Sequence, residues 1–151
     1  MSSILVKDYM QSSVQAVKAN ASVRELVEYL LKWNVTGLPV IDEHMRVIGF
    51  ISEQDCIKEM LNSAFYAEDS AQVRSIMRSD VLTVTPDTSI LEIAETMLGN
   101  KPKNYPVIEQ GKLVGLISRR MILQALRDNN VAYFSPHNKP LSTVQVRTPF
   151  N

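Results

Sequence analysis

The chain has 151 residues, enough for one compact domain or two small ones, and 45% of them are hydrophobic. Sixteen basic residues balance sixteen acidic ones, which argues against nonspecific nucleic-acid binding, a function that calls for a basic excess. No apolar run reaches the length of a membrane span, "MSSILVKDYM" lacks signal-peptide architecture, and the single cysteine, Cys56, excludes an internal disulfide framework; a soluble, cytoplasmic protein is expected.

The elements form one unit over residues 4–64. A short helical or turn segment ends at Met10, and an extended piece follows at Val14–Val17. Ser22 and Glu25 have the spacing of a capping box, ahead of a helix whose apolar stripe is Val23, Leu26, Val27, Leu30 and Leu31. "LPVI" and "VIGFI" read as a hairpin. A last helix begins at Ser52, with Ile57, Met60 and Leu61 expected to face inward. Residues 65–72 read as a linker. Residues 73–131 then repeat the order: a turn ending at Met77, an extended piece at Val81–Thr85, a Ser89-capped helix with Ile90, Ile93, Ala94, Met97 and Leu98, a hairpin of "YPVI" and "LVGLI", and a helix from Ser118 carrying Ile122, Ala125 and Leu126. Residues 132–151 contain Pro136, Pro140 and Pro149 and no helical period, and read as a C-terminal tail.

The two units are copies. A shift of 67 residues lays "VKDYMQSSVQAV" on "VRSIMRSDVLTV" and "SVRELVEYLL" on "SILEIAETML". One residue is lost in the hairpin turn. At a shift of 66 "GFISEQD" then falls on "GLISRRM", so Gly49, Ile51 and Ser52 match Gly115, Ile117 and Ser118, while Asp55 meets Met121.

The order β-α-β-β-α, "LPV" opening the hairpin and "GFIS..D" closing it, found twice, resembles the CBS domain (cystathionine beta-synthase), and the pair resembles a Bateman module. The resemblance implies an α/β (α+β) fold of two repeats packed sheet to sheet about a pseudo-twofold axis, with two clefts that hold adenosine-containing ligands such as AMP, ADP, ATP or S-adenosylmethionine. It also implies a homodimer and a ligand-sensing role toward an unknown regulated protein. The competing expectation is a constitutive assembly module with empty clefts.

Two readings of the turn at Ser52 stand side by side. Ser52 and Asp55 have the spacing of a helix cap, the hydroxyl accepting backbone N–H groups and the carboxylate favouring the positive helix end. A helix N-terminus also attracts anions, an Asp accepts from ribose hydroxyls, and Gly49 allows close backbone approach. The resemblance assigns Ser52 and Asp55 to ribose, facing Val84, Thr85, Asp87, Lys103, Asn104 and Tyr105 of the other repeat. It assigns Val17, Lys18, Val35, Thr36 and Gly37, with Ser118, to a second, degraded cleft. There Met121 is too weak an acceptor to replace the carboxylate. Arg119 and Arg120 open that helix, either as solvated surface charges or as phosphate contacts. His44 and His137 are far apart in sequence and no metal is expected. No Gly-rich phosphate loop, paired-cysteine pattern or nucleophile elbow occurs, so no enzyme and no required cofactor are expected.

Overall fold

The computed structural model describes residues 3–62 and 71–129; the expected tail lies outside them. The fold is mixed α/β. A short 3-10 turn at Val6–Asp8 precedes β1 (Val17–Lys18), α1 (Val23–Trp33), β2 (Gly37–Ile41), β3 (Val47–Ser52) and α2 (Glu53–Met60). The second half runs α3 (Val73–Ile76), α4 (Ile90–Thr96), β4 (Asn104–Glu109), β5 (Lys112–Ser118) and α5 (Arg119–Asp128). In the first repeat β1 pairs parallel with β2, and β2 antiparallel with β3. In the second, β4 and β5 form the hairpin. The expected early strand is reduced to a parallel bridge, Val84 to Val107, the counterpart of Val17 to Val40.

Two cores follow, one per repeat, and each is completed by the other repeat's opening segment. Val73 is fully buried among Val23, Leu26, Val40 and Ile51 of the first repeat, and Val6 among Ile90, Tyr105, Val107 and Ile117 of the second. The crossing is fastened by backbone hydrogen bonds that come in symmetric pairs. Val73 N donates to the Ala21 carbonyl at 2.9 Å, as Val6 N donates to that of Thr88 at 2.9 Å. Burying a valine this way stabilises by about 1.5–3 kcal/mol, which joins the halves without a covalent staple. On the pseudo-twofold axis, counterparts Arg46 and Lys112 bridge to each other.

The glycines of the repeated turn owe their identity to this crossing. A Cβ on Gly49 would stand 2.5 Å from Met77 Sδ and 2.9 Å from the Arg78 carbonyl oxygen; on Gly115 it would meet Met10 Sδ at 2.7 Å and the Gln11 carbonyl at 3.0 Å. The close approach at Gly49 is therefore made by the other repeat's backbone.

Several sequence expectations need correction. Ser22 caps α1 by accepting from Glu25 N at 3.0 Å, but the Glu25 carboxylate accepts from the Tyr29 hydroxyl at 3.4 Å. Ser89 caps α4 through Leu91 N at 3.2 Å. Leu31 and Leu98, assigned to the inward stripes, are 73% and 76% exposed, and on α2 Ile57 and Leu61 point outward while Cys56 is buried. The physical reason is that a helix packs only part of its surface on the sheet and on neighbouring helices, so its buried face is narrower than its apolar stripe.

Candidate functional site

Ser52 ends β3, pairs with Gly37 across the hairpin and is the N-cap of α2. Its hydroxyl accepts from Asp55 N at 3.2 Å and donates to Asp55 Oδ2 at 2.9 Å, while Ser52 N donates to the same oxygen at 2.9 Å. The capping box expected here is complete. The other carboxylate oxygen, Oδ1, lies 3.5 Å from Arg78 Nη2, and the Asp55 side chain is only 14% exposed against 61% for Arg78. Arg78 belongs to the second repeat's opening segment. Its backbone is fixed by a two-way bridge to Phe50, with N–O distances of 2.9 Å in both directions. The Asp55–Arg78 pair thus spans the boundary between repeats.

A cleft enclosing about 250 Å³ opens beside this turn. The first repeat lines it with Thr36, Phe50, Ser52, Glu53 and Gln54. The second supplies Arg78, Asp80, Val81 and Leu82 from its opening segment, Pro102 and Lys103 from the approach to β4, and Asn104 from the first position of that strand. Asp55 is not itself among the lining residues, but its carboxylate bonds Ser52 and pairs with Arg78, which are.

Of the residues singled out in the sequence, the structure brings Ser52, Lys103 and Asn104 to this cleft. Thr36 lines it as well, although it was assigned to the second cleft, because its carbonyl accepts from Glu53 N at 2.8 Å at the start of α2. Gly37 is likewise Ser52's own hairpin partner. Val84 packs against the second core. Thr85 N donates to Thr88 Oγ1 at 3.0 Å, and the exposed Asp87 pairs with Lys7 at 3.4 Å. None of these three lines the cleft. Tyr105 is 1% exposed within the second core. Val17 is buried, Lys18 exposed and Val35 half-buried against the first core.

At the mirror turn Ser118 caps α5 by accepting from Met121 N at 3.3 Å, Arg119 N donates to the Lys103 carbonyl at 2.8 Å, and Arg119 and Arg120 are exposed. Gln11 stands where Arg78 stands, bridged to Leu116. Both members of the cross-repeat ion pair are absent there. Arg78, Glu53 and Asp80 were not singled out in the sequence. The available signal was that asymmetry, an arginine and an aspartate retained on one side of the axis and replaced together on the other.

Other reactive groups offer little chemistry. The Cys56 thiol is pushed up to about 11, first by burial and then by the charges of Asp55 and Glu53, so it stays protonated near neutral pH and is a poor nucleophile. Among the described residues no group of three or more His, Cys, Asp or Glu side chains could hold a metal, and no helix is long and apolar enough to cross a membrane. The buried Tyr105 hydroxyl has no hydrogen-bond partner, and burial raises its pKa against the lowering effect of Arg119. Tyr105→Phe is expected to raise stability by about 1 kcal/mol by removing an unsatisfied polar group; an unchanged or lowered urea midpoint would contradict this.

A family profile described as the CBS domain matches residues 6–62 and 73–128. The chain belongs to the CBS domain family. It is a tandem CBS pair, similar to an uncharacterised 17.7 kDa protein of Acidianus ambivalens, with 32% identity over 93% of this chain and 82% of that one. It is also 29% identical to an uncharacterised Methanocaldococcus jannaschii protein over 80% of this chain; the match spans 42% of that longer relative. Among solved structures, CBSX2 from Arabidopsis thaliana, in complex with AMP, superposes with a TM-score of 0.73 at 28% identity, over 83% of this chain and 98% of that one. The CBS pair of protein MJ0100, in complex with 5′-methylthioadenosine and S-adenosylmethionine, gives 0.69 at 25% identity, over 80% and 98%.

Proposed function

We propose that this CBS pair is a regulatory module that binds an adenosine-containing nucleotide in the cleft beside Ser52 and Asp55 and passes its occupancy to a partner protein. The observation that carries the reading is a cleft built from both repeats around a capped, acid-bearing turn, in a fold whose similar structures hold AMP or methylthioadenosine and S-adenosylmethionine. The ribose hydroxyls donate to Asp55, Ser52 assists, and Lys103 and Asn104 close the far wall. Val84 and Tyr105 pack in the second core, and Thr85 and Asp87 are exposed. Because the lining comes from both repeats, a ligand that favours one packing of the halves shifts the population toward it. ADP, ATP and S-adenosylmethionine remain alternatives to AMP as the ligand. The second cleft, without the carboxylate, binds nucleoside weakly. No catalysis is assigned, in keeping with the regulatory character of CBS pairs. A nucleotide-dependent rise in melting temperature, confirmed by titration calorimetry, tests the reading; no response to any adenosine ligand would remove it.

One observation favours a second reading. Both oxygens of the Asp55 carboxylate have partners within the protein, Ser52 for Oδ2 and Arg78 for Oδ1, which suits a constitutive assembly module.

We further propose that the chain is cytoplasmic and a homodimer. Leu31 and Leu98 occupy equivalent exposed positions, as do Ile57 and Leu123, at 56% and 67% exposure. An apolar pattern repeated on both helical faces suits a C2 contact. Around α2, Cys56 is buried and Met60 partly buried, so Ile57 and Leu61 are the apolar side chains it leaves exposed for this contact. Sedimentation at tens of micromolar, roughly where weak dimers dissociate, should show a dimer; monomer alone would contradict it.

A further inference from the structure

We infer that Arg78 selects the charge of the ligand: it makes this cleft prefer a nucleotide bearing a 5′ phosphate over a neutral or cationic adenosine derivative. The inference rests on the nucleotide-binding reading above. That reading leaves the choice open, because similar CBS pairs hold AMP in one case and methylthioadenosine with S-adenosylmethionine in another.

The argument starts from the state of Asp55. Its Oδ2 is taken by Ser52, so a ribose must use Oδ1, the oxygen that Arg78 holds at 3.5 Å. That distance is long for a charge-assisted bond, and only one guanidinium nitrogen makes it. Arg78 has five N–H donors, lines the cleft and is 61% exposed, so donors remain for a ligand beyond the one that faces Asp55. A ligand that loosens the ion pair must offer Arg78 something in return. A 5′ phosphate does so with oxyanions matched to a planar guanidinium. A neutral thioether leaves the cation uncompensated, and a sulfonium opposes it.

Two further features set the scale of the selection. The Arg78 backbone is anchored by its two-way bridge to Phe50, so its side chain starts from a fixed point on the cleft wall. Glu53 and Asp80 also line the cleft, against Lys103 as the other lining cation. One phosphate is matched by Arg78 and Lys103; a longer phosphate chain brings further charge toward the two carboxylates. AMP is therefore favoured over ATP as well as over methylthioadenosine. In the mirror cleft Gln11 and Met121 replace the pair, so this selector exists on one side of the axis.

The test is titration calorimetry of the full chain and of Arg78→Gln with AMP, ATP and 5′-methylthioadenosine, with unfolding measured alongside. The wild type is expected to bind AMP at least tenfold more tightly than methylthioadenosine or ATP. Arg78→Gln should weaken AMP at least tenfold and leave methylthioadenosine within about threefold, erasing the preference. Equal losses for both ligands would show that Arg78 only holds the repeats together, and an unchanged AMP affinity would show that it does not meet the phosphate; either overturns the inference. A wild type that binds methylthioadenosine as tightly as AMP overturns it too, while leaving the nucleotide-binding reading intact. A wild type that binds none of the three removes both.

Discussion

Asp55→Asn should weaken AMP binding by roughly 1.5–3 kcal/mol, the scale of a hydrogen bond to a charged group. Asparagine is the informative choice. It retains an oxygen that can accept from Ser52 N and the Ser52 hydroxyl, the two bonds made by Asp55 Oδ2 at 2.9 Å, so the start of α2 is preserved. What it removes is the charge that faces Arg78 and would meet the ribose. Asp55→Ala would remove the return half of the capping box as well and mix a stability loss with the binding loss. Calorimetry on the wild type and Asp55→Asn, with urea unfolding of both, separates the two effects. Equal AMP affinity in the two proteins would show that the turn is a helix cap and nothing more. Met121→Asp is the complementary change and should let the mirror cleft gain affinity.

Gly49→Ala should cost about 1–3 kcal/mol of stability, the usual penalty for forcing atoms into a filled space. The added Cβ would meet the Arg78 carbonyl at 2.9 Å and Met77 Sδ at 2.5 Å. The thioether is flexible and can yield. The backbone is hydrogen-bonded to Phe50 in both directions and cannot yield cheaply. The opening segment of the second repeat must therefore lift, taking Arg78 with it, and AMP binding should fall together with stability. Gly115→Ala supplies the control. Its Cβ meets Gln11 and Met10 in the same way, so it should cost similar stability while leaving the cleft at Asp55 nearly unaffected. A Gly49→Ala protein as stable as the wild type in urea would contradict the crossing.

Much of this fold was legible because its determinants are local. Hairpin periodicity, the Ser52–Asp55 box and the doubled order of elements depend on residues close in sequence, and duplication supplied an internal check on each. The exchange of opening segments was not legible. Val6 and Val73 look like ordinary apolar residues, and nothing local says that each completes the other repeat's core. The exposed leucines were misassigned for a related reason: periodicity gives the width of an apolar stripe, and the number of packing neighbours decides how much of it is covered.

The candidate site divides the same way. Ser52 and Asp55 declared themselves by spacing, and Lys103 and Asn104 by the family's pattern. Thr36, assigned in sequence to the second cleft, lines the cleft at Ser52 because hairpin register, Gly37 opposite Ser52, ties it to its own repeat's turn. Arg78 and Asp80 reach the cleft through long-range packing, whereas Glu53 reaches it as the residue next to Ser52. Of these, only Arg78 left a trace in the sequence, as one half of a charge pair lost together on the other side of the axis.

The central claim is that one inherited binding turn was kept and its copy altered. The stoichiometry of AMP binding to the full chain, measured by calorimetry at known protein concentration, tests it most directly. The account predicts one nucleotide per chain, its binding weakened by roughly 1.5–3 kcal/mol in Asp55→Asn. Two equivalent sites per chain, or no binding of any adenosine nucleotide, would contradict it.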